Sequence, residues 1–457
     1  MKVVLVVMDT LRTDHLGCYG YGRNTSPAID EFSKESSVFE DAVATDVPTQ
    51  PSFTALMTGL RGIHNGVVSH HPVETIEDSV PLLQERLGER MVTGAVSTLY
   101  LMKKYFARGF HYYMNPAAAS PSRVQRVQAE EINSLAIPWL RQHARADFFL
   151  FVHYWDPHTP YLPPERYRSF YRGRYNDPEN HSLDAFKKSE LWYHALSWLK
   201  EINAEDVTDL DYVVSLYDGE IRHADDAFGE LLATLDDLGI AEETMVVLTA
   251  DHGESLGEHG FYFDHGDVYQ TTIRVPLIVR WPGRFPRKRV RGLVQSVDLT
   301  RTVLDLAGLP LQRTDGKSLI DAVEGKPRER AFSNQVLWTA KRTMIKEQDG
   351  HRYKVIVTRD ASFWPTPRVE LYDLSRDPKE ERDLGESQPD LRDQLELELR
   401  RWEEEQLNGR IDPLTRITDL GLPSKVWVEN ALKRYRDASY EQQRNLIDAP
   451  KGENKSQ

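Results

Sequence analysis

The chain has 457 residues, 40% of them hydrophobic, and a formal net charge of -14. That length exceeds one typical domain but suits a large α/β enzyme with an appendage, and the hydrophobic content is ordinary for a soluble globular protein. The acidity and the scattered arginines exclude general nucleic-acid affinity, and the lone Cys18 excludes an internal disulfide and fits a reducing compartment.

Met1-Lys2 runs directly into Val3-Val4-Leu5-Val6-Val7-Met8-Asp9. This apolar run is too short for a membrane span or a signal h-region. It has the length and β-branching of a buried parallel strand. With Asp9 at that strand's carboxyl end no cleavable leader is expected before it, so the chain reads as cytoplasmic, with no membrane partner. Ser26-Pro27 predicts a helix with Ser as N-cap and Pro in the first turn. A second helix is predicted from Thr49, with Pro51 in its first turn. Residues 148–152, 245–249 and 275–279 read as further buried strands. Residues 213–238 carry apolar side chains at helical spacing, and residues 163–206 read as a polar, aromatic insertion near a site mouth. Another helix is predicted over 298–306, stopped by Gly308 and Pro310. The alternation predicts an α/β fold, a large mostly parallel sheet with helices on both faces.

The character changes after Lys326. Residues 336–346, 352–358 and 369–373 read as short strands of a small antiparallel subdomain, and from about residue 391 the chain is charged and helical, with a frayed end. The expected organisation is a catalytic domain over 1–325, a C-terminal antiparallel α+β subdomain over 326–390 and a helical tail over 391–457.

In doubly wound folds ligands sit beyond the carboxyl ends of strands. The first strand ends in Asp9-Thr10 and the strand over 245–249 leads into Asp251-His252-Gly253-Glu254. One acidic strand end is usually a cap. Two of them, with His252 and Thr49, make an oxygen and nitrogen set suited to one divalent cation, Mn or Zn ahead of Ca or Mg. Thr49 reads either as a plain N-cap or as a nucleophile whose hydroxyl gains from the helix dipole and a bound metal.

Several segments carry a family resemblance. Leu5 to Asp9, Ala44 to Leu60, Phe151 to Tyr161, Tyr217-Asp218-Gly219-Glu220-Ile221-Arg222, Asp251 to Gly260, Ser296-Val297-Asp298-Leu299 and Glu370 to Pro378 resemble, in order and spacing, the sulfatase branch of the alkaline phosphatase superfamily. The resemblance implies a metal-dependent ester hydrolase acting on a small anionic ester. Thr49 stands where that family carries the cysteine or serine it oxidises to an aldehyde. Threonine is a secondary alcohol and would give a ketone, and Phe53 replaces the arginine of the motif. Thr10 replaces a second acidic ligand, His252 an asparagine, and Val96-Ser97-Thr98-Leu99-Tyr100 a Gly-Lys-Trp-His segment. The resulting metal set of Asp9, Thr49, Asp251 and His252 is similar to that of phosphonate monoester and phosphodiester hydrolases. It is also close to phosphoglycerol transferases of the lipoteichoic acid synthase type, which use an unmodified threonine.

By the same resemblance His158 falls at a substrate-contacting, leaving-group position, His265 near a substrate lysine, and Thr98 and Tyr100 at the substrate-gripping segment. Whether the two histidines act as acids or only as donors stays open. His64, His70, His71 and His153 read as structural or surface residues. Trp155, Tyr161, Trp192, Tyr193 and Trp198 line a pocket or simply pack, packing being the commoner case. Phosphorus is favoured over sulfur, because a phosphothreonine can be resolved by water or an alcohol whereas a sulfothreonine lacks the elimination step of an aldehyde hydrate. A sulfatase acting by direct water attack, a transferase and a non-catalytic anion-binding relic are the alternatives. The sequence leaves the oligomeric state open.

Overall fold

The structure, a computed structural model, describes residues 1–117, 125–189, 192–310 and 313–425, without the side chains of 193 and 194. Its strands in chain order are β1 (Lys2–Met8), β2 (Ser37–Val43), β3 (Asp46–Val47), β4 (Val92–Val96), β5 (Tyr112–Met114), β6 (Phe148–Tyr154), β7 (Thr244–Thr249), β8 (Ser255–Leu256), β9 (Tyr262–Asp264), β10 (Arg274–Arg280), β11 (Lys288–Gln295), β12 (Arg330–Val336), β13 (Ala340–Gln348), β14 (His351–Asp360) and β15 (Val369–Asp373). The helices that position the site are α1 (Pro27–Lys34), α2 (Thr49–Thr58), α3 (Ala129–His143), α4 (Leu210–Asp237), α5 (Val297–Leu306), α6 (Pro389–Leu407) and α7 (Pro413–Leu420).

The main sheet has eight strands in the order β11-β2-β10-β7-β1-β6-β4-β5. Only β10 among them runs against the others. The centre is β7-β1-β6, and every residue of those three strands is buried. Their unbroken Val, Leu, Phe and Met runs fit a strand covered on both faces. The parallel register sets Val7 beside His153 and Thr249, and Met8 beside Tyr154. Asp9, the Trp155–His158 turn and Ala250-Asp251-His252 therefore all emerge at one edge of the sheet.

Helix α1 begins as read, with Pro27 in its first turn and Ser26 at the N-cap position, but the Ser26 side chain makes no cap bond. Its hydroxyl donates to Asp30 at 3.0 Å, and the caps come from Asp225 of α4, which accepts the N–H of Ala28 at 2.9 Å and of Ile29 at 2.8 Å. Burial raises the Asp225 carboxyl to about 7, against these donors, which favour the ionised form. A raised carboxyl contributes stability that is full below its unfolded value of about 4 and is lost as pH rises to about 7. Asp225→Asn removes the charge but leaves one acceptor oxygen for two N–H donors and turns its amide NH2 onto the other. The variant is expected to be less stable than wild type by about 1–3 kcal/mol near pH 4, and the deficit should shrink by pH 8 as the wild-type carboxyl ionises against burial, read by urea unfolding at the two pH values.

The second sheet has five strands, β15-β14-β13-β12-β3. The stretch 336–346, expected as one strand, crosses a tight turn, because β12 ends at Val336 and β13 starts at Ala340. Leu337 N–H closes that turn on the Thr339 carbonyl at 3.1 Å. The turn lacks Gly, Pro, Asn and Asp, so no sequence signal marked it. Strand β3 pairs in parallel with β12, tying this sheet to the residues just before Thr49. Buried Lys341 reaches Asp267 at 2.8 Å and Glu370 at 3.2 Å, and Lys354 reaches Glu380 at 2.5 Å and the Val268 carbonyl at 2.6 Å. These ions fix the segment after His265. Helix α6 docks Trp402 flat on Phe332, 3.8 Å apart, and buried Arg342 joins Glu403 and Asp412. Residues 426–457 of the expected helical tail lie outside the described residues. Among the described residues no helix is long and apolar enough to cross a membrane.

Candidate active site

Asp9, Asp251 and His252 are fully buried, and one ligand atom from each lies within 4.8 Å of the others. Thr49 joins them from the N-terminus of α2, its Oγ1 3.2 Å from His252 Nε2. The N-cap of α2 is Pro48, and no side chain caps the helix. The Thr49 hydroxyl is thus free of the capping role and turned to the cluster. Ser52, one turn along α2, donates to the Asp251 carbonyl at 2.6 Å and locks the helix to the strand end.

Hydrogen bonds fix the orientation of each donor. His252 Nδ1 lies 2.9 Å from the Gly253 carbonyl, which makes Nδ1 the N–H donor and leaves a lone pair on Nε2. Asp251 Oδ1 accepts from His252 N at 2.9 Å and Thr10 N at 3.2 Å. Asp251 Oδ2 and Asp9 Oδ1 are buried with no partner. Thr10 sits at φ 57, an unusual left-handed position for a β-branched residue. Its N–H serves Asp251 while its carbonyl accepts from Tyr217 Oη at 2.7 Å. Burial, then Asp251 and Glu254, raise the Asp9 carboxyl well above its usual range, and burial raises Asp251 as well. Burial also holds His252 neutral. Two orphaned carboxylate oxygens facing a neutral imidazole lone pair and a hydroxyl fit a divalent cation with mixed oxygen and nitrogen ligands.

Four further imidazoles surround this set. The His265 ring lies 4.3 Å from His252 and 5.4 Å from His158. His265 Nδ1 faces Glu254 Oε1 at 3.2 Å, and Glu254 also accepts from Tyr161 Oη at 3.1 Å. Burial opposes charge on His265, but Asp264, Glu254 and Asp251 outweigh it and raise the ring to about 9. His158 donates Nδ1–H to the Thr159 carbonyl at 2.6 Å, and burial, then His265, lower it to about 3. His153, read as structural or surface, is buried inside β6 with Nε2 3.3 Å from Asp9 Oδ2 and Nδ1 3.3 Å from Ser97 Oγ. Glu254, quoted in its motif without a role, backs His265. Half-buried His70 lies close enough to His265 and His158 for them to add to burial in lowering it to about 3.

The other residues singled out in the sequence divide. Thr98 is buried and accepts the Trp155 indole N–H. Tyr100 is 39% exposed, its ring 6.1 Å from that of Tyr113. Tyr161 packs on Trp198 and Trp192 on Phe186, while the Tyr193 side chain lies outside the described residues.

Residues 2–309 match the family model described as Sulfatase. The chain belongs to the sulfatase family. Residues 257–405 also match the model described as N-sulphoglucosamine sulphohydrolase, C-terminal. This sulfatase-family chain is 24% identical over 414 residues to the multifunctional alkaline phosphatase superfamily protein PehA of Trinickia caryophylli, covering 72% of this chain and 78% of PehA. Its fold is similar to the phosphonate monoester hydrolase of Agrobacterium radiobacter, with TM-score 0.67, 19% identity and coverage of 89% of this chain and 96% of that one. It is likewise similar to BT4656 bound to its substrate D-glucosamine-2-N,6-O-disulfate, with TM-score 0.71, 18% identity and coverage of 90% and 99%. The family membership makes the chain an ester hydrolase.

His153 lies between Ser97 and Asp9, where its ring can orient the Asp9 carboxylate. His153→Phe preserves its aromatic packing against Phe53 and Trp155. It is expected to weaken metal affinity about 10–100-fold, read by titration of metal-stripped protein, with the fold intact by circular dichroism.

Proposed function

We propose that this hydrolase cleaves a small phosphorus ester, a phosphodiester or a phosphonate monoester, with unmodified Thr49 as nucleophile. Asp9, Thr49, Asp251 and His252 would hold one Mn or Zn ion. The observation that carries the reading is the Thr49 hydroxyl, released from capping and set 3.2 Å from the His252 lone pair. A bound divalent ion there supplies a lowered hydroxyl pKa and polarises the ester oxygen. Thr49 Oγ1, its proton released to solvent, would form a bond to phosphorus as the bond from phosphorus to the leaving oxygen breaks. The first-turn N–H groups of α2 favour the anion. His265, steadied through Nδ1 by Glu254, keeps a proton at Nε2 for the leaving oxygen. His158 has its donor nitrogen committed to Thr159, so its other nitrogen is an acceptor for the proton of the water that then attacks phosphothreonine. An alcohol in place of that water would make the enzyme a transferase. The lone Cys18 supports a reducing, cytoplasmic setting, and the acidic balance supports an absence of nucleic-acid partners.

Sulfate esters are the second reading, favoured by the match of residues 257–405 to the N-sulphoglucosamine sulphohydrolase segment. A panel of aryl phosphodiester, phosphomonoester, phosphonate and sulfate esters, assayed with metal-stripped protein reloaded with Mn or Zn, separates the two. Phosphodiesters or phosphonates are expected to lead by at least about tenfold in kcat/KM, or roughly 1.4 kcal/mol. A preference for the sulfate ester would overturn the phosphorus assignment.

A further inference from the structure

A second cluster of donors lies beside the loop that carries His158. Asp156, Glu220 and His223 bring one ligand atom each within 4.8 Å of one another. Asp156 follows β6, and Glu220 and His223 are neighbours three residues apart on one face of α4. His223 Nδ1 lies 3.8 Å from Asp156 Oδ2 and 3.9 Å from Glu220 Oε2. Both separations are too long for hydrogen bonds. His223 Nδ1 and Asp156 Oδ2 are buried without a partner, and the His223 side chain is 1% exposed.

The tautomer of His223 makes this arrangement informative. Nε2 is hydrogen-bonded to the Glu130 carboxylate, so that nitrogen carries the donated proton. A neutral ring then turns the Nδ1 lone pair toward two carboxylates, and three acceptors converge on one point. A doubly protonated ring would instead hold a buried N–H that reaches no acceptor. Glu220 is kept in place by Leu162 N–H, which reaches Oε1 at 2.7 Å, and the Tyr167 ring stacks on His223 at 5.1 Å. A carboxylate holding the far nitrogen of an imidazole is the usual outer support of a metal-bound histidine.

We propose that Asp156, Glu220 and His223 form a second divalent-cation site, separate from the catalytic cluster, that clamps the His158 loop to α4. Tetrahedral ligands about 2.1 Å from an ion stand about 3.4 Å apart, so the observed spacings close by a few tenths of an ångström through side-chain rotation. Two carboxylates against a doubly charged ion leave the buried site neutral. One imidazole among the ligands selects Zn or Mn over Ca. A proton shared by Asp156 and Glu220 is the competing way to relieve their repulsion, but it leaves His223 Nδ1 without a partner.

Metal-stripped protein titrated with Zn or Mn is expected to take up two equivalents. Crystals grown in micromolar Zn should show anomalous peaks at both clusters. Glu220→Gln should retain one equivalent, at Asp9, Asp251 and His252, whereas Asp251→Asn should retain one at the second cluster. Failure of the catalytic centre and failure of this site are thereby read separately. His223→Gln serves should Glu220→Gln not fold, and the wild-type anomalous map needs no variant. A stoichiometry of one with a peak only at the catalytic cluster overturns the proposal. So does occupancy of the second cluster that requires millimolar metal.

Discussion

Replacing Thr49 with alanine is expected to lower kcat/KM for every ester that the wild type turns over by at least about 1,000-fold, roughly 4 kcal/mol. The fold should survive. Thr49 does not cap α2, and the helix is tied to the site through Ser52 and the Asp251 carbonyl rather than through the lost hydroxyl. Three of the four proposed metal ligands remain, so the variant should still bind the ion, more weakly. Thr49→Ser restores a hydroxyl at the same position and is expected to recover activity to within about tenfold of wild type. Mass spectrometry of quenched turnover checks the covalent step directly, by a phosphoryl adduct on the peptide containing Thr49 in wild type and none in the alanine variant. Undiminished turnover by Thr49→Ala would sink the covalent route and leave direct attack by water.

What was legible in the sequence was what local patterning encodes. The strands β1, β6 and β7 were readable because each is an unbroken apolar run that ends where chemistry begins. Asp9 and Asp251-His252 were readable for the same reason, lying within two or three residues of those strand ends. His153 was not, because its role depends on β6 lying beside β1 with Val7 opposite His153, a pairing of residues nearly 150 positions apart. The cap of α1 by Asp225 is hidden in the same way, since Ser26 offers a sufficient local explanation that the fold does not use. Tyr100 rested on a family position alone, and its surface placement depends on where the Ser97–Met102 turn leaves β4. The turn between β12 and β13 was hidden because Leu337-Trp338-Thr339 has strand-like residues where a turn usually has Gly, Pro, Asn or Asp.

Asp251→Asn is expected to move activity and stability in opposite directions. Activity should fall by about 1,000-fold or more, because the orphaned Oδ2 is the oxygen left for a cation and an amide nitrogen cannot ligate in its place. The metal-free protein, by contrast, should become more stable by about 1–3 kcal/mol. Asparagine Oδ1 can still accept from Thr10 and His252, and a new amide N–H meets the His252 Nε2 lone pair, 3.3 Å from the replaced oxygen, where Asp9 is the neighbouring carboxylate. The variant loses a buried negative charge that burial and its neighbours disfavour. Because the folded Asp251 carboxyl is raised, the wild-type penalty grows as pH climbs from about 4 and is complete at pH 8. The variant's advantage should follow the same course. Thermal unfolding in chelator at pH 8 is the measurement, repeated with saturating Mn, where wild type gains from binding and the order reverses. A lower midpoint for the variant in chelator would mean that the two carboxylates are already compensated without metal, and the charge account of the site would fail.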